Sequence, residues 1–552
     1  MHCTDCLAGA NMLRIWILAF STIALGYSQT RDLIASGRLD DLHWPDFSDF
    51  QADVDAFYQP GGYAPVWSQN GSITPQASAI IDALQKSEAK GLNPEDYDAS
   101  RWSERVANPD PVRFDLALTV SVMRYASDLH LGRWNPGIYH SGFDLHGEHY
   151  QLAELIRRLV NAPDVGSVLG ELEPPFPGYR RTQAALQRYL ALAREDDGAL
   201  LPAAKFPIEP GTAYPGVPRL AALLRKLGDL PADAVVPETY CGPLVDAVRR
   251  FQARHGLDAD GRIGKSTLDQ LNTPLSQRVH QLQLTLERWR WMPHTFARPP
   301  IVVNIPEFEL RASDQSYTTA LEMKVVVGQA YRRETPIFAA DLKYVIFHPY
   351  WNVPPSITRA ELLPKIERDR GYLAANGYEV VTPEDQVVEN GSVDDAVLAQ
   401  LHSGKLSIRQ IPGPKNALGS VKFLFPNEYN VYLHDTPSTV LFSRARRDFS
   451  HGCIRVEKPA LLAQWVLRDS PEWTPARIDQ AMHGATPLQV TLPQPVPVLI
   501  VYATAVVLEN GEVRFFDDLY TFDAQLDELQ AKGYPCCRWK PTSGARARRP
   551  HE

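Results

Sequence analysis

The chain has 552 residues, 44% of them hydrophobic and 22% charged, a globular balance that excludes a disordered chain, a transporter and a coiled coil. Fifty-six basic residues against 65 acidic ones leave a net charge of −9, which speaks against general affinity for nucleic acid or anionic lipid. At about 150 residues per domain the length suits three or four domains, and 45 prolines point to many joints between them.

The first readable segment starts at Met12. Arg14 precedes a largely apolar run, Ile15 to Leu25, with small residues at Ala24 and Gly26. That is the layout of a secretory signal, and the run is shorter than the ~20 residues a spanning helix needs. Residues 1–27 are therefore expected to be a signal peptide, with a membrane anchor as the alternative. Six cysteines, Cys3, Cys6, Cys241, Cys453, Cys536 and Cys537, are too few and scattered for a disulfide scaffold.

Residues 45–205 read as a helical domain. Ile80, Ile81 and Leu84 recur at helical spacing before the stop signal Gly91-Leu92-Asn93-Pro94, and 114–131, 152–160 and 182–193 supply further helices. Its acidic residues and histidines are dispersed, so a scaffold role is expected. A linker over 196–217 leads to a three-helix pattern at 215–273. Leu220, Leu224 and Leu227 mark the first helix, Pro243 opens the second, and 267–271 close the module.

From Pro300 the period changes to two. The runs 301–305, 321–327, 344–347, 421–425 and 430–434 read as strands of a mainly β, sandwich-like domain over 300–502. A helical insertion is expected at about 358–405, opened by Thr358 and Glu361 at capping-box spacing. Placed between strands, it would cap a substrate groove. A hairpin, a helix and a basic tail are expected over 503–552. The fold class is thus multidomain α+β.

The chemistry concentrates in two segments, Tyr432-Leu433-His434-Asp435 and Ser450-His451-Gly452-Cys453-Ile454-Arg455. A thiol attacks only as thiolate and needs a base or cation nearby. His434 ends a predicted strand nineteen residues before Cys453. If the two lie on neighbouring strands, imidazole can meet sulfur. Gly452 permits a tight turn that would aim the Cys453 amide at a forming oxyanion. Tyr432 shares a strand face with His434, whereas Asp435 falls on the other, so a backbone carbonyl is expected to orient the ring. No His-Glu-x-x-His or paired Cys-x-x-Cys occurs, and neither a metal nor a cofactor is expected.

The Ser-His-Gly-Cys-Ile-Arg segment with its upstream His closely resembles the signature of L,D-transpeptidases with a YkuD-type catalytic domain. The 215–273 pattern, with Val248-Arg249-Arg250-Phe251-Gln252 and Asp260-Gly261, resembles the three-helix peptidoglycan-binding module. Further segments, Tyr350 to Ile357, Ile411 to Asn416, Asn427 to Asp435, Gly61 to Trp67 and Gly91 to Tyr97, look like the large scaffold-containing subgroup of Gram-negative bacteria. The resemblance implies Cys453 as nucleophile and His434 as general base and acid. His451 and Gly452 would shape the turn and oxyanion hole, and Arg455, Tyr432 and Trp351 would bind substrate, with an Arg455–Glu457 ion pair as an equal alternative.

The implied reaction is acyl transfer from a donor stem tetrapeptide with release of D-Ala, forming 3→3 peptidoglycan cross-links. Water or a protein lysine as acceptor leaves an L,D-carboxypeptidase or a lipoprotein-linking or -cleaving enzyme open. A wall-binding scaffold without catalysis is the reading from another class, disfavoured because it needs neither Cys453 nor His434. Expected partners are peptidoglycan stem peptides and glycan, and other cell-wall synthesis proteins, in the periplasm; nucleic acid is not expected.

Overall fold

The computed structural model describes residues 28–533 apart from 70, 109, 139–141, 144–149, 204–206, 390 and 391. The proposed signal segment, Cys3, Cys6, Cys536, Cys537 and the basic tail lie outside the described residues. Among those described, no helix is long and apolar enough to cross a membrane.

The N-terminal part is helical, centred on Pro111–Leu131, whose side chains are buried almost all round. Asp110 caps it by accepting from the Val112 and Arg113 N–H groups. Polar residues survive inside because they are paired. Asp115 accepts from the Tyr58 hydroxyl (2.6 Å) and from the backbone N–H of Val66 and Trp67. The module after it has three helices, Val217–Leu227, Pro243–Ala253 and Lys265–Leu271, around Leu220, Leu224, Val248 and Phe251.

A helix that the sequence pattern does not announce, Leu275–Arg290, joins the parts. Its side chains reach the helical N-terminal part and the C-terminal segment. Glu287 accepts from the Trp134 N–H (2.9 Å), Arg290 reaches the Tyr179 hydroxyl (3.1 Å), and Arg288 pairs with Asp523 (2.5 Å). These buried charges give the helix a polar composition, which hides its periodicity although it is a core element.

Eight of the nine strands of the catalytic region's main sheet are, in chain order, β1 (Ile301–Asn304), β2 (Glu309–Ser313), β3 (Thr319–Gly328), β4 (Phe338–Phe347), β5 (Val421–Leu424), β6 (Leu433–His434), β7 (Ile454–Val456) and β8 (Leu488–Val501), and the ninth, Asp448–Ser450, runs parallel beside the end of β3. Hydrogen bonding runs β3-β7-β6-β5-β4-β8-β1-β2, and β2 also pairs with β3. The sheet therefore closes on itself. It is a barrel and not the sandwich-like pair of sheets expected, because the ten-residue β3 is long enough to pair with β2 through its first half and with β7 beyond it. Val303, Leu310, Val325, Val345, Phe423, Leu433, Ile454 and Ile500 fill the interior.

The insertion between β4 and β5 is helical only in part. Strands Trp351–Asn352, Tyr378–Val381, Val387–Glu389 and Ser407–Gln410 form a four-stranded antiparallel sheet beside its helices, with its own core around Ile366, Val380 and Ile408. The expected capping box does not form. The helical run already begins at Pro355, and Thr358–Leu362 is a π segment with Thr358 buried inside it. The hairpin Ala505–Val507/Val513–Phe515 and the helix Phe522–Gln530 follow the barrel.

Candidate active site

Strands β6 and β7 run parallel, with Leu433 beside Ile454 and His434 beside Arg455. The register places Tyr432 next to Cys453, and the Ile454 N–H donates to the Tyr432 carbonyl (3.1 Å). Leu433 and Ile454 point into the barrel, so their neighbours Tyr432, His434, Cys453 and Arg455 share its outer face. On the other side of β6, β5 sets Lys422 against His434. Two short parallel strands thus bring together residues nineteen apart in sequence.

The His434 ring is buried, and its Nδ1 lies 2.6 Å from the Asp435 carbonyl oxygen. A carbonyl only accepts, so Nδ1 carries the proton and Nε2 is left as the basic nitrogen. The Asp435 carboxylate is otherwise engaged, accepting from the N–H of Ser420 (2.7 Å) and Thr436 (2.6 Å). Burial, with Arg455 and Lys422 adding to it, lowers the His434 pKa to about 3. Cys453 is half-buried, and burial pushes its thiol up against the opposing pull of Tyr432, Lys422 and Arg455. Both shifts favour the neutral forms, a thiol and an unprotonated imidazole, and Sγ lies 3.7 Å from the Asn430 carbonyl oxygen.

That charge state has a measurable consequence. Alkylation of Cys453 by iodoacetamide should rise by about tenfold per pH unit from pH 6 to 9, because thiolate forms only as the raised thiol titrates. Peptide mapping would separate it from Cys241. A flat rate from pH 5 upward would instead indicate a preformed thiolate–imidazolium pair.

The turn before Cys453 is built from its neighbours. Gly452 has φ +113°, a conformation other residues rarely adopt. The Ser450 hydroxyl donates to the Cys453 carbonyl (2.5 Å) and accepts from the Gly452 N–H (3.2 Å). The Gly452 N–H is therefore taken by the turn, which leaves the Cys453 amide as the one expected to face a forming oxyanion. The Thr335 hydroxyl donates to the Gly452 carbonyl (2.8 Å) and accepts from the Gly328 N–H (2.8 Å). Tyr520 bonds the Gly328 carbonyl (2.5 Å), so the C-terminal segment braces the same turn.

His451 reaches the insertion. Its Nε2 lies 2.5 Å from Glu361, which also accepts from Arg333 (2.9 Å). Glu361 belongs to the π segment of the insertion, so this contact ties the cap to the nucleophile turn. Trp351 begins the first strand of the cap, and the Tyr432 hydroxyl interacts with both Trp351 and Cys453. The alternative ion pair of Arg455 with Glu457 does not form; Glu457 accepts from the Lys324 N–H (3.2 Å). Sequence reasoning missed Lys422, Thr335 and Tyr520, which stand in unremarkable strands and loops far from the motif. Among the described residues, no group of His, Cys, Asp or Glu is arranged to hold a metal. A cavity of about 200 Å³ lined by Phe176, Trp289, Phe296 and Val302 lies on the β1–β8 side of the barrel and does not include these residues.

Comparison with known families agrees with this geometry. Residues 298–490 match the model of the L,D-transpeptidase catalytic domain (YkuD). The chain carries an L,D-transpeptidase catalytic domain. Residues 52–186 match the Scaffold domain, and 214–271 match the model described as "Putative peptidoglycan binding domain". A Haemophilus influenzae protein named "Putative L,D-transpeptidase" is 32% identical over 252 residues, 46% of this chain and 50% of the relative. The match thus spans about half the length of that curated relative. A crystal structure of the L,D-transpeptidase (residues 123–326) from Xylanimonas cellulosilytica is 17% identical and covers 54% of this chain and 100% of its own, with a TM-score of 0.17. At that score the transpeptidase assignment rests on the family match. Within the L,D-transpeptidase domain, Cys453, His434, Tyr432 and Arg455 meet on one face, whereas His451 turns toward the cap.

Proposed function

We propose that this protein cross-links peptidoglycan by cysteine acyl transfer, with Cys453 as nucleophile and His434 as general base and then acid. The observation that carries this is the fixed tautomer of His434, whose unprotonated Nε2 sits on the strand beside the one bearing Cys453. As sulfur attacks the carbonyl of the third, diamino-acid residue of a donor stem, Nε2 takes the thiol proton. The tetrahedral intermediate collapses, D-Ala leaves with that proton on its nitrogen, and a thioester remains. The side-chain amine of a second stem then attacks the thioester, releasing the thiol and giving a 3→3 link. The cap, held to the turn through Glu361 and His451, favours amine over water by limiting solvent access.

Residues 214–271 are proposed to hold the enzyme on the wall, which sedimentation of the full chain with purified sacculi would test. Export to the periplasm is proposed from Arg14 and the apolar run after it. A fusion of residues 1–40 to a reporter active only outside the cytoplasm should give signal, and a stable but silent fusion would count against export. For the reaction, purified protein incubated with disaccharide-tetrapeptides should yield dimers carrying a diamino acid–diamino acid bond by tandem mass spectrometry. Tripeptide monomers alone would make it a carboxypeptidase.

A further inference from the structure

We propose that the cavity on the β1–β8 side of the barrel binds the alkyl chain of a fatty acid, whose carboxylate meets Arg181 at its edge. The site stands apart from the acyl-transfer residues on β6 and β7 and does not depend on that chemistry. Strands β1 and β8 pair in parallel, with Val302 beside Leu499 and Asn304 beside Val501. Val303 and Ile500 fill the barrel, so their neighbours Val302 and Val501 face outward. Other parts of the fold cover this outer apolar face. Trp289 and Met292 come from the end of the linking helix, and Phe176 precedes the helix Pro177–Arg194. Val506 comes from the C-terminal hairpin, and Tyr317 from the turn between β2 and β3 packs edge-on against Phe176, ring centres 5.2 Å apart.

These groups do not close the space. It keeps about 200 Å³, and Trp289, Phe296, Val302 and Val506 are only half-buried around it. Concave apolar surface left open in this way is what small-molecule sites are made of. An apolar cavity of about 150 Å³ takes benzene, so this one has room for about eight carbons.

The polar groups in the walls favour an alkyl chain over a sugar. Asn304 donates to the Ala503 carbonyl (3.0 Å) and accepts from the Ala503 N–H (2.8 Å). Glu307 holds both ends of the Arg311 fork (2.6 and 2.7 Å), and Arg288 is paired with Asp523. The Thr182 and Thr285 hydroxyls donate to the carbonyls of Gly178 (2.8 Å) and Ala505 (3.2 Å). A sugar's hydroxyls would find these partners engaged, and an unpaired buried hydroxyl is costly. Methylenes need no partner.

Arg181 supplies the one contact that an anionic head requires. It is half-buried, its Nε reaches only the Val507 carbonyl (3.4 Å), and among the described residues no carboxylate lies within ion-pair distance of it. Glu509, which also lines the cavity, is held by the Thr319 N–H (2.7 Å) and feels Arg181 only at longer range. A carboxylate at the edge would therefore gain a charge-assisted bond that nothing in the empty site provides.

Calorimetric titration of the full chain with hexanoate, octanoate, decanoate and dodecanoate tests the proposal. Kd should tighten by about fourfold per methylene while the cavity fills and level off beyond decanoate. Arg181→Gln should weaken octanoate about tenfold and leave octanol unchanged. Val506→Trp, which fills the cavity, should abolish binding while its melting temperature and D-Ala release stay at wild-type values. No binding at millimolar concentration, or a Kd independent of alkyl length, overturns the site, and this series needs no variant to fold. Undiminished octanoate binding in Val506→Trp puts the ligand elsewhere, and undiminished binding in Arg181→Gln removes the carboxylate contact. A chitin oligosaccharide that binds wild type but not Val506→Trp overturns the fatty acid in favour of a glycan.

Discussion

Cys453→Ala should reduce D-Ala release from a donor tetrapeptide to background, a loss on the order of 10⁶-fold as expected when a covalent nucleophile is removed. The substitution deletes one half-buried sulfur and leaves the Ser450 and Thr335 bonds to the turn in place, because both run to backbone atoms. Its melting temperature should therefore stay close to wild type, since stability changes away from packed or unsatisfied groups are usually within about 0.5 kcal/mol. The same reasoning covers a β-lactam, whose strained carbonyl is an alternative acyl donor. A carbapenem should add once per chain, and Cys453→Ala should lose that adduct. An adduct that survives in the alanine variant would place the reactive group elsewhere.

Removing the base should be severe but incomplete. His434→Ala should slow acylation by about 10²–10⁴-fold, the usual contribution of a positioned proton acceptor. The thiol should remain countable by titration, since Cys453 itself is untouched. The loss should shrink as pH rises toward the thiol's own pKa, because solvent then supplies the thiolate that the imidazole no longer makes. Full activity in His434→Ala, stopped-flow traces included, would remove His434 from the mechanism. Burial beside Arg455 and Lys422, which holds the ring's pKa near 3, also costs it basicity.

Much of this site was legible in the sequence because its two segments are short and chemically unusual. Cys453 after a glycine that must take φ +113°, with a histidine at the end of a strand, left few other arrangements. The expected backbone carbonyl on the imidazole is that of Asp435. Lys422, Thr335 and Tyr520 were not legible, since each is an ordinary residue whose role depends on strand pairing and chain return over long separations. The same holds for the fold. Alternation marked most barrel strands, but closure depends on the β2–β3 pairing, which no local pattern announces. The cap's short strands are two to four residues long and carry too little alternation to register against the helices beside them. Helix Leu275–Arg290 escaped because its buried face carries Arg278, Glu287, Arg288 and Arg290, charges that read as solvated until their partners are known.

Intact-protein mass spectrometry on acid-quenched mixtures of enzyme and donor tetrapeptide tests the covalent step itself. With no acceptor present, the chain should gain the mass of the donor less one D-Ala, and peptide mapping should put that thioester on Cys453. Release of D-Ala without any covalent species in the rapid quench, or a thioester on Cys241, would contradict acyl transfer through Cys453.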